Sequence, residues 1–421
     1  MDVTYLDWWA CGRACEAWMR NRSCFFVLYL PTPPKISIRH ESTEMANNSN
    51  LGAAKAAKND EFYTQYADIQ KEVNAYLEYN PDTFRDKTVL LPCDDPEWSN
   101  FTRFFAQNFE RLGLKRLIST SYAVESKKYK NYQPTLFETS SAWYDVDKTR
   151  IKGKIFELTR DVNGNGRIDL DDLEWHYLEG DGDFRSKEVC KLRDEADIIV
   201  TNPPFSLFRE FLAWIMEVEK GLLIIGNKNS VSYKEVFPLI KENKLWFGPS
   251  ITSGDREFMV PQDYETHSES LRIDEKGNKY IRVPGVHWFT NLEHGRRHEP
   301  LQLMSMKDNV RYSRHKEIRE NGYVRYENYD AIDVPYTDAI PNDYEGAMGV
   351  PLTFLDKYCP EQFEIIGHPH GDYGLELGLS PFPRELKVQN KGLRDGDLYY
   401  MKDGKPELPY RRILIRKKQQ Q

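Results

Sequence analysis

The feature that most constrains the fold of this chain is an apolar run that ends in a rigid turn. Residues 196–200 are largely apolar, and Thr201-Asn202-Pro203-Pro204-Phe205 follows directly. A short apolar run bounded by turn residues is typical of a buried strand. Two consecutive prolines fix two backbone angles and remove two N–H donors, so regular pairing stops there. The sequence therefore predicts a strand ending at a sheet edge, where open α/β sheets bind ligands.

The segments around this turn alternate between strand and helix patterns. Strands are predicted at residues 87–92, 114–120, 196–201 and 221–226. Helices are predicted at residues 68–78, 100–112 and 206–218. This alternation predicts an α/β fold with a doubly wound sheet and right-handed crossovers.

The turn itself has the chemistry to hold a planar amine. The Asn202 amide oxygen and the Pro203 carbonyl can accept hydrogens from an –NH₂ group while Phe205 stacks on the face of the ring. The alternative is an ordinary turn, since Asn and Pro are common turn residues. We treat Asn202, Pro203, Pro204 and Phe205 as the candidate catalytic residues.

Other motifs accompany the turn in a fixed order. They are Asp60-Glu61-Phe62-Tyr63-Thr64-Gln65, Cys93-Asp94-Asp95-Pro96, Gly180-Asp181-Gly182-Asp183-Phe184-Arg185-Ser186 and, continuing from the turn, Phe205-Ser206-Leu207-Phe208-Arg209-Glu210-Phe211. Asn-Pro-Pro-aromatic resembles the motif of S-adenosylmethionine-dependent amino methyltransferases. The whole series, over roughly residues 59–416, resembles the EcoRI-like family of adenine-specific DNA methyltransferases.

The resemblance implies a Rossmann-like methyltransferase sheet, S-adenosylmethionine as cofactor and double-stranded DNA as substrate. It also implies methyl transfer to N6 of an adenine flipped out of the duplex. The cofactor-binding residues assigned by the resemblance are Phe62, Tyr63, Thr64, Asp94 and Asp95. We add Asp183 and Phe184, because a carboxylate beside an aromatic ring can accept from the adenine amine and stack on its face.

The turn after the first strand departs from the usual glycine-rich form, since residues 94–100 contain no glycine. The cofactor's ammonium and ribose hydroxyls would meet carboxylates there instead. The alternative is that Asp94 and Asp95 only cap the following helix. For Phe62 the alternative is core packing, and for Asp183 it is a plain acidic turn.

We predict four regions. Residues 1–44 are an extension that we interpret as a start-site artefact, with Met45 as the true start. Residues 45–228 are the S-adenosylmethionine-dependent catalytic domain, with an insert at 140–177. Residues 229–349 are the target-recognition region, and residues 350–421 are a C-terminal region with a final basic strand.

The target-recognition region is predicted from interleaved cations and aromatic rings, which suit phosphate contact and groove readout. The cations are Arg272, Arg282, Arg296, Arg297, Arg311, Arg314, Lys316, Arg319 and Arg325, and the rings are Trp288, Tyr312, Tyr323 and Tyr326. The alternative is a solvated surface, because acidic residues dilute the charge.

The insert carries a segment that resembles the calcium loop of EF-hand and dockerin-type modules. Oxygen ligands would come from Asp161, Asn163, Asn165, Asp169, Asp172 and the backbone carbonyl of Arg167. Structural calcium is therefore one hypothesis, and an Asn-Gly-rich turn is the other. Asp172 stands where the loop pattern has glutamate, which weakens bidentate binding.

Composition limits the remaining possibilities. The net charge is −8, so DNA contact must come from local patches rather than from the chain as a whole. The six cysteines lack zinc spacing, and the apolar runs are too short to cross a bilayer. We expect a reduced, cytoplasmic protein with no membrane contact, and a cognate restriction endonuclease is a hypothetical partner.

Three functions compete at this stage. The motif series favours a site-specific DNA adenine methyltransferase. An amino methyltransferase acting on RNA or on a protein glutamine would share the Asn-Pro-Pro-aromatic motif but not residues 60–65 or the arginine-rich region. A non-enzymatic calcium-dependent binding module would leave the turn at Asn202 unexplained.

Overall fold

The fold is organised around an eight-stranded sheet with a parallel centre. A computed structural model describes residues 64–92, 94, 99–123, 139, 141, 143–251, 255–260, 271–389 and 392–419. The extension at 1–44 lies outside these residues.

The strands run as follows: β1 Thr88–Leu91, β2 Arg116–Ser121, β3 Lys154–Leu158, β4 Glu174–Tyr177, β5 Ile198–Thr201, β6 Gly221–Asn227, β7 Trp246–Phe247, β8 Asp255–Val260, β9 Leu271–Ile273, β10 Lys279–Pro284, β11 Val286–Thr290, β12 Ala331–Asp333, β13 Ala347–Pro351, β14 Phe363–Gly367, β15 Tyr400–Lys402, β16 Lys405–Glu407 and β17 Arg412–Lys417. The α-helices are α1 Tyr66–Tyr79, α2 Asn100–Gln107, α3 Phe109–Leu112, α4 Val146–Ile151, α5 Lys187–Glu195, α6 Phe208–Met216, α7 Phe237–Lys241, α8 Met306–Tyr312, α9 Lys316–Asn321, α10 Gly371–Glu376 and α11 Arg384–Gln389.

The large sheet has the strand order β4-β3-β2-β1-β5-β6-β11-β7. The four central strands β2, β1, β5 and β6 are parallel to one another, which confirms an α/β fold with a parallel core. Strands β3, β4, β7 and β11 extend it through antiparallel pairs. The complete sheet is therefore mixed. The sequence did not reveal this, because strands such as β4 alternate between buried and exposed residues and carry no long apolar run.

Alternate residues of the central strands feed two hydrophobic cores, one on each face of the sheet. Leu90 and Ile199 pack in a core with α5, α6 and α7. Val89, Leu91 and Val200 pack in a second core with α1 and α2. All residues of β1 and β5 are buried, as expected for parallel strands covered on both faces.

One predicted helix is interrupted. Residues 100–112 form two helices, α2 and α3, separated by Asn108, whose Nδ2 donates to the Phe104 carbonyl at 2.9 Å. Asparagine side chains compete with helical backbone bonding in this way. Gly113, with a φ of 65°, ends the second helix in the left-handed conformation.

The rest of the described chain forms smaller sheets. Strands β8, β10 and β9 form an antiparallel sheet. Strands β12, β13, β17 and β14 form a mixed sheet in which β12 and β13 are parallel and β17 is antiparallel to its two neighbours. The second is held by a buried ion pair in which Arg412 Nε donates to Asp333 Oδ1 at 2.8 Å. Strands β7 and β11, from residues 229–349, belong to the large sheet; the predicted boundary at residue 228 stays a prediction. None of the described helices is long and apolar enough to span a membrane.

Candidate active site

The carboxyl ends of four parallel strands converge on one edge of the large sheet, here called the carboxyl edge: β1, β2, β5 and β6. Strand β1 lies between β2 and β5, so the chain winds outward in opposite directions from the β1–β5 pair. Open α/β sheets bind ligands in the crevice at such a switch point. The predicted catalytic and cofactor motifs follow β5 and β1 and therefore meet here.

The catalytic motif leaves the end of β5 beside the end of β1. Thr201 is buried, and its hydroxyl donates to the Pro92 carbonyl at 3.0 Å, which joins the two strand ends. Pro203 is buried, whereas Asn202 and Phe205 are half-buried. Phe205 begins a short 3₁₀ turn and packs against the core that includes α1 and α2. The motif is thus fixed at the crevice by packing on one side and a strand-to-strand bond on the other.

Asp94 lies in the turn after β1 and is held by two serines. Its Oδ1 accepts from Ser99 Oγ at 2.9 Å, and its backbone carbonyl accepts from Ser119 Oγ on β2. Ser99 Oγ accepts the Phe101 N–H at 3.1 Å and is the cap of α2. The side chain that caps α2 is therefore that of Ser99, and Asp94 accepts from this capping serine. Asp95 lies outside the described residues.

Thr64 reaches the same place from the start of α1. Its carbonyl accepts from Asn100 Nδ2 at 2.8 Å, which sets it against the first turn of α2. The side chain is 4% exposed, and among the described residues its hydroxyl has no hydrogen-bond partner. A buried hydroxyl without a partner is costly, and sites that bind a polar ligand can contain one. Phe62 and Tyr63 lie outside the described residues.

Asp183 and Phe184 lie in different environments although they are adjacent. Gly182 has a φ of 88°, and a Cβ there would come within 2.3 Å of the Ser121 carbonyl, so this segment lies directly against the end of β2. Asp183 accepts three hydrogen bonds from Arg185, which hold the pKa of its carboxyl below the usual range. Phe184 is buried, with its ring centroid 4.7 Å from that of Phe211. Their roles in cofactor binding stay predictions.

The calcium-loop-like segment closes on its own backbone. Asp161 accepts the N–H groups of Gly164 and Gly166, and Asp172 accepts those of Val162, Asn163 and Asp169. Asn163 and Asn165 each accept the N–H two residues on, that of Asn165 and of Arg167. Within the described part of the chain, no group of three or more His, Cys, Asp or Glu side chains could hold a metal ion. The structure does not support the calcium site.

Most cations of the predicted target-recognition region bond to acceptors of the chain itself. The partners are Glu257 for Arg272, the Pro249 carbonyl for Arg296, Asp338 for Arg314, Glu320 for Lys316, the Ser313 carbonyl for Arg319 and Asp330 for Arg325. Arg311 stacks on Tyr312. Arg297 is buried, with its guanidinium 3.5 Å from the centre of the Trp246 ring. Exposed ion pairs are worth about 0–1 kcal/mol and can be exchanged for phosphate, whereas the buried Arg297 is committed to the fold.

Sequence reasoning did not bring together a group of residues that the structure places at the carboxyl end of β6. Arg209, in the first turn of α6, lies over the Tyr233 ring at 5.2 Å, and Arg411 donates to Ser232. Both Ser232 and Tyr233 follow β6 within a few residues. The rule that ligands bind at the carboxyl ends of parallel strands could have singled them out. Arg411 could not have been found in this way, since it comes from a distant part of the chain.

Comparison with known proteins identifies relatives of this chain. A family model described as adenine-specific methyltransferase EcoRI matches residues 50–418. The type II methyltransferase M.EcoRI of Escherichia coli is 43% identical over 352 residues, which cover 83% of this chain and 98% of that protein. The type II methyltransferase M.MpnI of Mycoplasma pneumoniae is 35% identical over 315 residues, covering 74% and 83%. No solved structure matches.

Proposed function

This chain belongs to the EcoRI family of adenine-specific methyltransferases, and from that premise we propose how its carboxyl edge acts on DNA. The protein is a type II adenine-specific DNA methyltransferase. We propose that Asn202, Pro203, Pro204 and Phe205 bind an adenine flipped from the duplex and direct methyl transfer to its N6. The observation that carries the proposal is the position of this motif at the end of β5, beside the end of β1.

S-adenosylmethionine is the cofactor that the family implies, and the residues at the crevice fit it. The cofactor carries an ammonium, a carboxylate and ribose hydroxyls. The Asp94 carboxylate suits the ammonium or the hydroxyls, and the buried Thr64 hydroxyl offers a further donor or acceptor. Asp183 follows Gly182, which lies against the end of β2, and is the proposed acceptor for the 6-amino group of the cofactor's adenine. When bound, the cofactor supplies a methyl group activated by a sulfonium.

The protein's own residues overcome the weak nucleophilicity of the amine. The nitrogen lone pair of an exocyclic amine is delocalised into the ring, so the amine attacks poorly. Acceptors at the Asn202 amide and the Pro203 carbonyl favour a pyramidal nitrogen whose lone pair is free to attack. Phe205 stacks on the base and fixes its plane. Catalysis then consists of positioning and hydrogen-bond polarisation, and the proton leaves to solvent after the N–C bond has formed.

The target base must leave the duplex before it can reach this edge. Flipping costs a few kcal/mol in lost stacking and pairing, which stacking on an aromatic ring partly restores. The half-buried Phe205 is the candidate for that ring. A cytoplasmic location and a partner restriction endonuclease stay predictions.

The experiment that tests the proposal is direct. The purified protein is incubated with isotope-labelled S-adenosylmethionine and unmethylated genomic DNA, the DNA is digested to nucleosides, and the labelled nucleoside is identified by mass. We expect label in N6-methyladenine alone. No label in any DNA nucleoside would overturn the proposal, and label recovered in parallel incubations with RNA or with protein would then favour the alternative amino methyltransferases.

A further inference from the structure

A pocket of about 380 Å³ lies behind the turn that follows β6. Its walls include Ser232, Tyr233, Phe237, Pro238, His368 and Tyr373. The first of these residues follow β6 at the carboxyl edge, and the last two come from the C-terminal region. The pocket therefore lies beside the end of β6, whereas the cofactor crevice lies between β1 and β5.

Three cations stand close to this pocket. Lys234 is part of its lining, Arg209 lies over Tyr233, and Arg411 bonds to Ser232. Among the residues that the structure describes, none of the three forms an ion pair with an acidic side chain. Two acids of the α10 segment, Asp372 and Glu376, also line the pocket. The Arg209 and Arg411 side thus suits an anion such as a backbone phosphate.

The interior of the pocket suits a planar ring. Phe237 and Tyr373 lie with ring centroids 6.2 Å apart, and Phe237 lies 5.5 Å from His368. Aromatic walls of this kind stack on nucleobases of any sequence. The volume is ample for one base with part of its sugar.

His368 adds a specific acceptor. It is 4% exposed, and its Nδ1 lies 2.7 Å from the Arg412 carbonyl, which can only accept. The ring proton is therefore on Nδ1, so Nε2 is an acceptor, and among the described residues it has no partner. Burial lowers the pKa of His368 to about 4, which keeps the ring neutral near pH 7. A base amine or ring N–H is the complementary donor.

We infer that this pocket holds the base of a second nucleotide of the DNA substrate, close to the target adenine, with its phosphate on Arg209 and Arg411. The inference rests on the proposed function, because it requires duplex DNA at the carboxyl edge. The target adenine occupies the Asn202 motif, so the second base is a neighbour on either strand. Displacement of this second base from the duplex widens the gap through which the target adenine leaves the stack.

The test combines a blocked pocket with missing bases. Pro238 is an exposed residue at the rim of the pocket, and Pro238→Trp fills the pocket with a large side chain. The control is Lys241→Trp, which adds the same side chain to the same helix at an exposed residue outside the pocket lining. DNA duplexes carrying the mapped recognition site are made with one abasic nucleotide at each position near the target. Affinity is measured by fluorescence anisotropy, and methylation of the intact duplex is measured in parallel.

We expect one abasic position to weaken binding of the unaltered protein by about tenfold, the loss of one stacked base. Pro238→Trp should weaken binding of the intact duplex to a similar degree and should abolish the effect of that abasic position, since both changes remove one contact. Lys241→Trp should behave like the unaltered protein. Tyr233→Ala provides a second variant with the same expected pattern.

Two results would overturn the inference in distinguishable ways. In the first, the unaltered protein methylates adenine, but the loss of affinity caused by Pro238→Trp simply adds to that caused by each abasic position. The pocket then holds no base, and the proposed function stands. If the unaltered protein methylates no DNA, the proposed function fails and the inference fails with it.

Discussion

The carboxyl edge and the arginine-rich region at 229–349 use their polar side chains in opposite ways. At the edge, short side chains such as Asp94 and Thr64 are held by neighbouring elements, and Thr64 retains a hydroxyl that no described residue uses. In the arginine-rich region, long cations reach back to acceptors of the chain itself, and Arg297 is buried under Trp246. A place where side chains from several different elements meet therefore indicates a functional site better than a high number of residues of one type does.

The largest effect should come from removing the amide at the edge. Asn202→Ala deletes one of the acceptors proposed for the N6 amine, and losing one preorganised hydrogen-bonding group at a reacting centre costs about 100- to 1,000-fold in rate. Affinity for S-adenosylmethionine should change little. Single-turnover formation of N6-methyladenine and calorimetric titration of the cofactor measure the two quantities.

Asn229→Ala is the matched control for this prediction, since Asn229 is an exposed asparagine that follows β6. Its methylation rate should equal that of the unaltered protein. A near-normal rate for Asn202→Ala would remove the amide from the mechanism. The comparison between the carboxyl edge and the arginine-rich region would then lose its main support.

The second prediction concerns pH and a buried histidine of the arginine-rich region. His294 is 3% exposed, and burial lowers its pKa to about 4. A folded-state pKa below the unfolded value means that the unfolded chain binds the proton more tightly. Stability from neutral His294 is therefore complete above about pH 6.5 and is lost as the pH falls toward 4, by about 3 kcal/mol in total.

The measurement is the free energy of unfolding from urea titrations between pH 4 and 7.5. His294→Gln should flatten the loss on the acid side. Burial also raises the pKa of Glu72 to about 7, so Glu72 acts with the opposite sign and destabilises the fold as the pH rises through that range. Comparing each variant with the unaltered protein cancels this contribution. Parallel pH curves for His294→Gln and the unaltered protein would contradict the assignment.

The third prediction asks whether Arg297 serves DNA or the fold. Arg297→Ala removes the guanidinium that stacks on Trp246 and leaves a gap in a buried site. We expect a loss of about 2 kcal/mol in unfolding free energy through lost packing. DNA affinity of the folded variant and its dependence on salt should stay unchanged. A salt slope reduced by about one unit would show instead that Arg297 neutralises a phosphate.

The sequence was sufficient for the parts of the fold that depend on local pattern. The parallel strands are apolar runs such as residues 221–226, and the structure gives a strand at Gly221–Asn227. The helix break at Asn108 was not predicted because it depends on a side-chain hydrogen bond. The antiparallel strand β4 was not predicted because only some of its residues are buried, so its hydrophobic periodicity is weak. The pairing of Arg411 with Ser232 depends on contacts between residues far apart in the chain, which no local pattern encodes.

A smaller effect should follow from Thr64→Val. The hydroxyl is buried without a partner among the described residues, so replacing it with a methyl group should leave stability unchanged or slightly higher. If that hydroxyl binds the cofactor, affinity for S-adenosylmethionine should fall by about 1 kcal/mol, the worth of one hydrogen bond. Thermal unfolding with and without cofactor separates the two effects. Unchanged cofactor affinity would remove Thr64 from the site.

The smallest effect should be that of calcium. The carboxylates of Asp161 and Asp172 already accept backbone N–H groups, so the loop has internal bonds that close it. Thermal unfolding should therefore give the same midpoint in a calcium chelator and in excess calcium. Asp172→Ala, which removes an acceptor shared by three N–H groups, should lower the midpoint equally in both conditions. A midpoint that rises with calcium only when Asp172 is present would restore the metal site and make this loop, rather than the carboxyl edge alone, a ligand-binding part of the molecule.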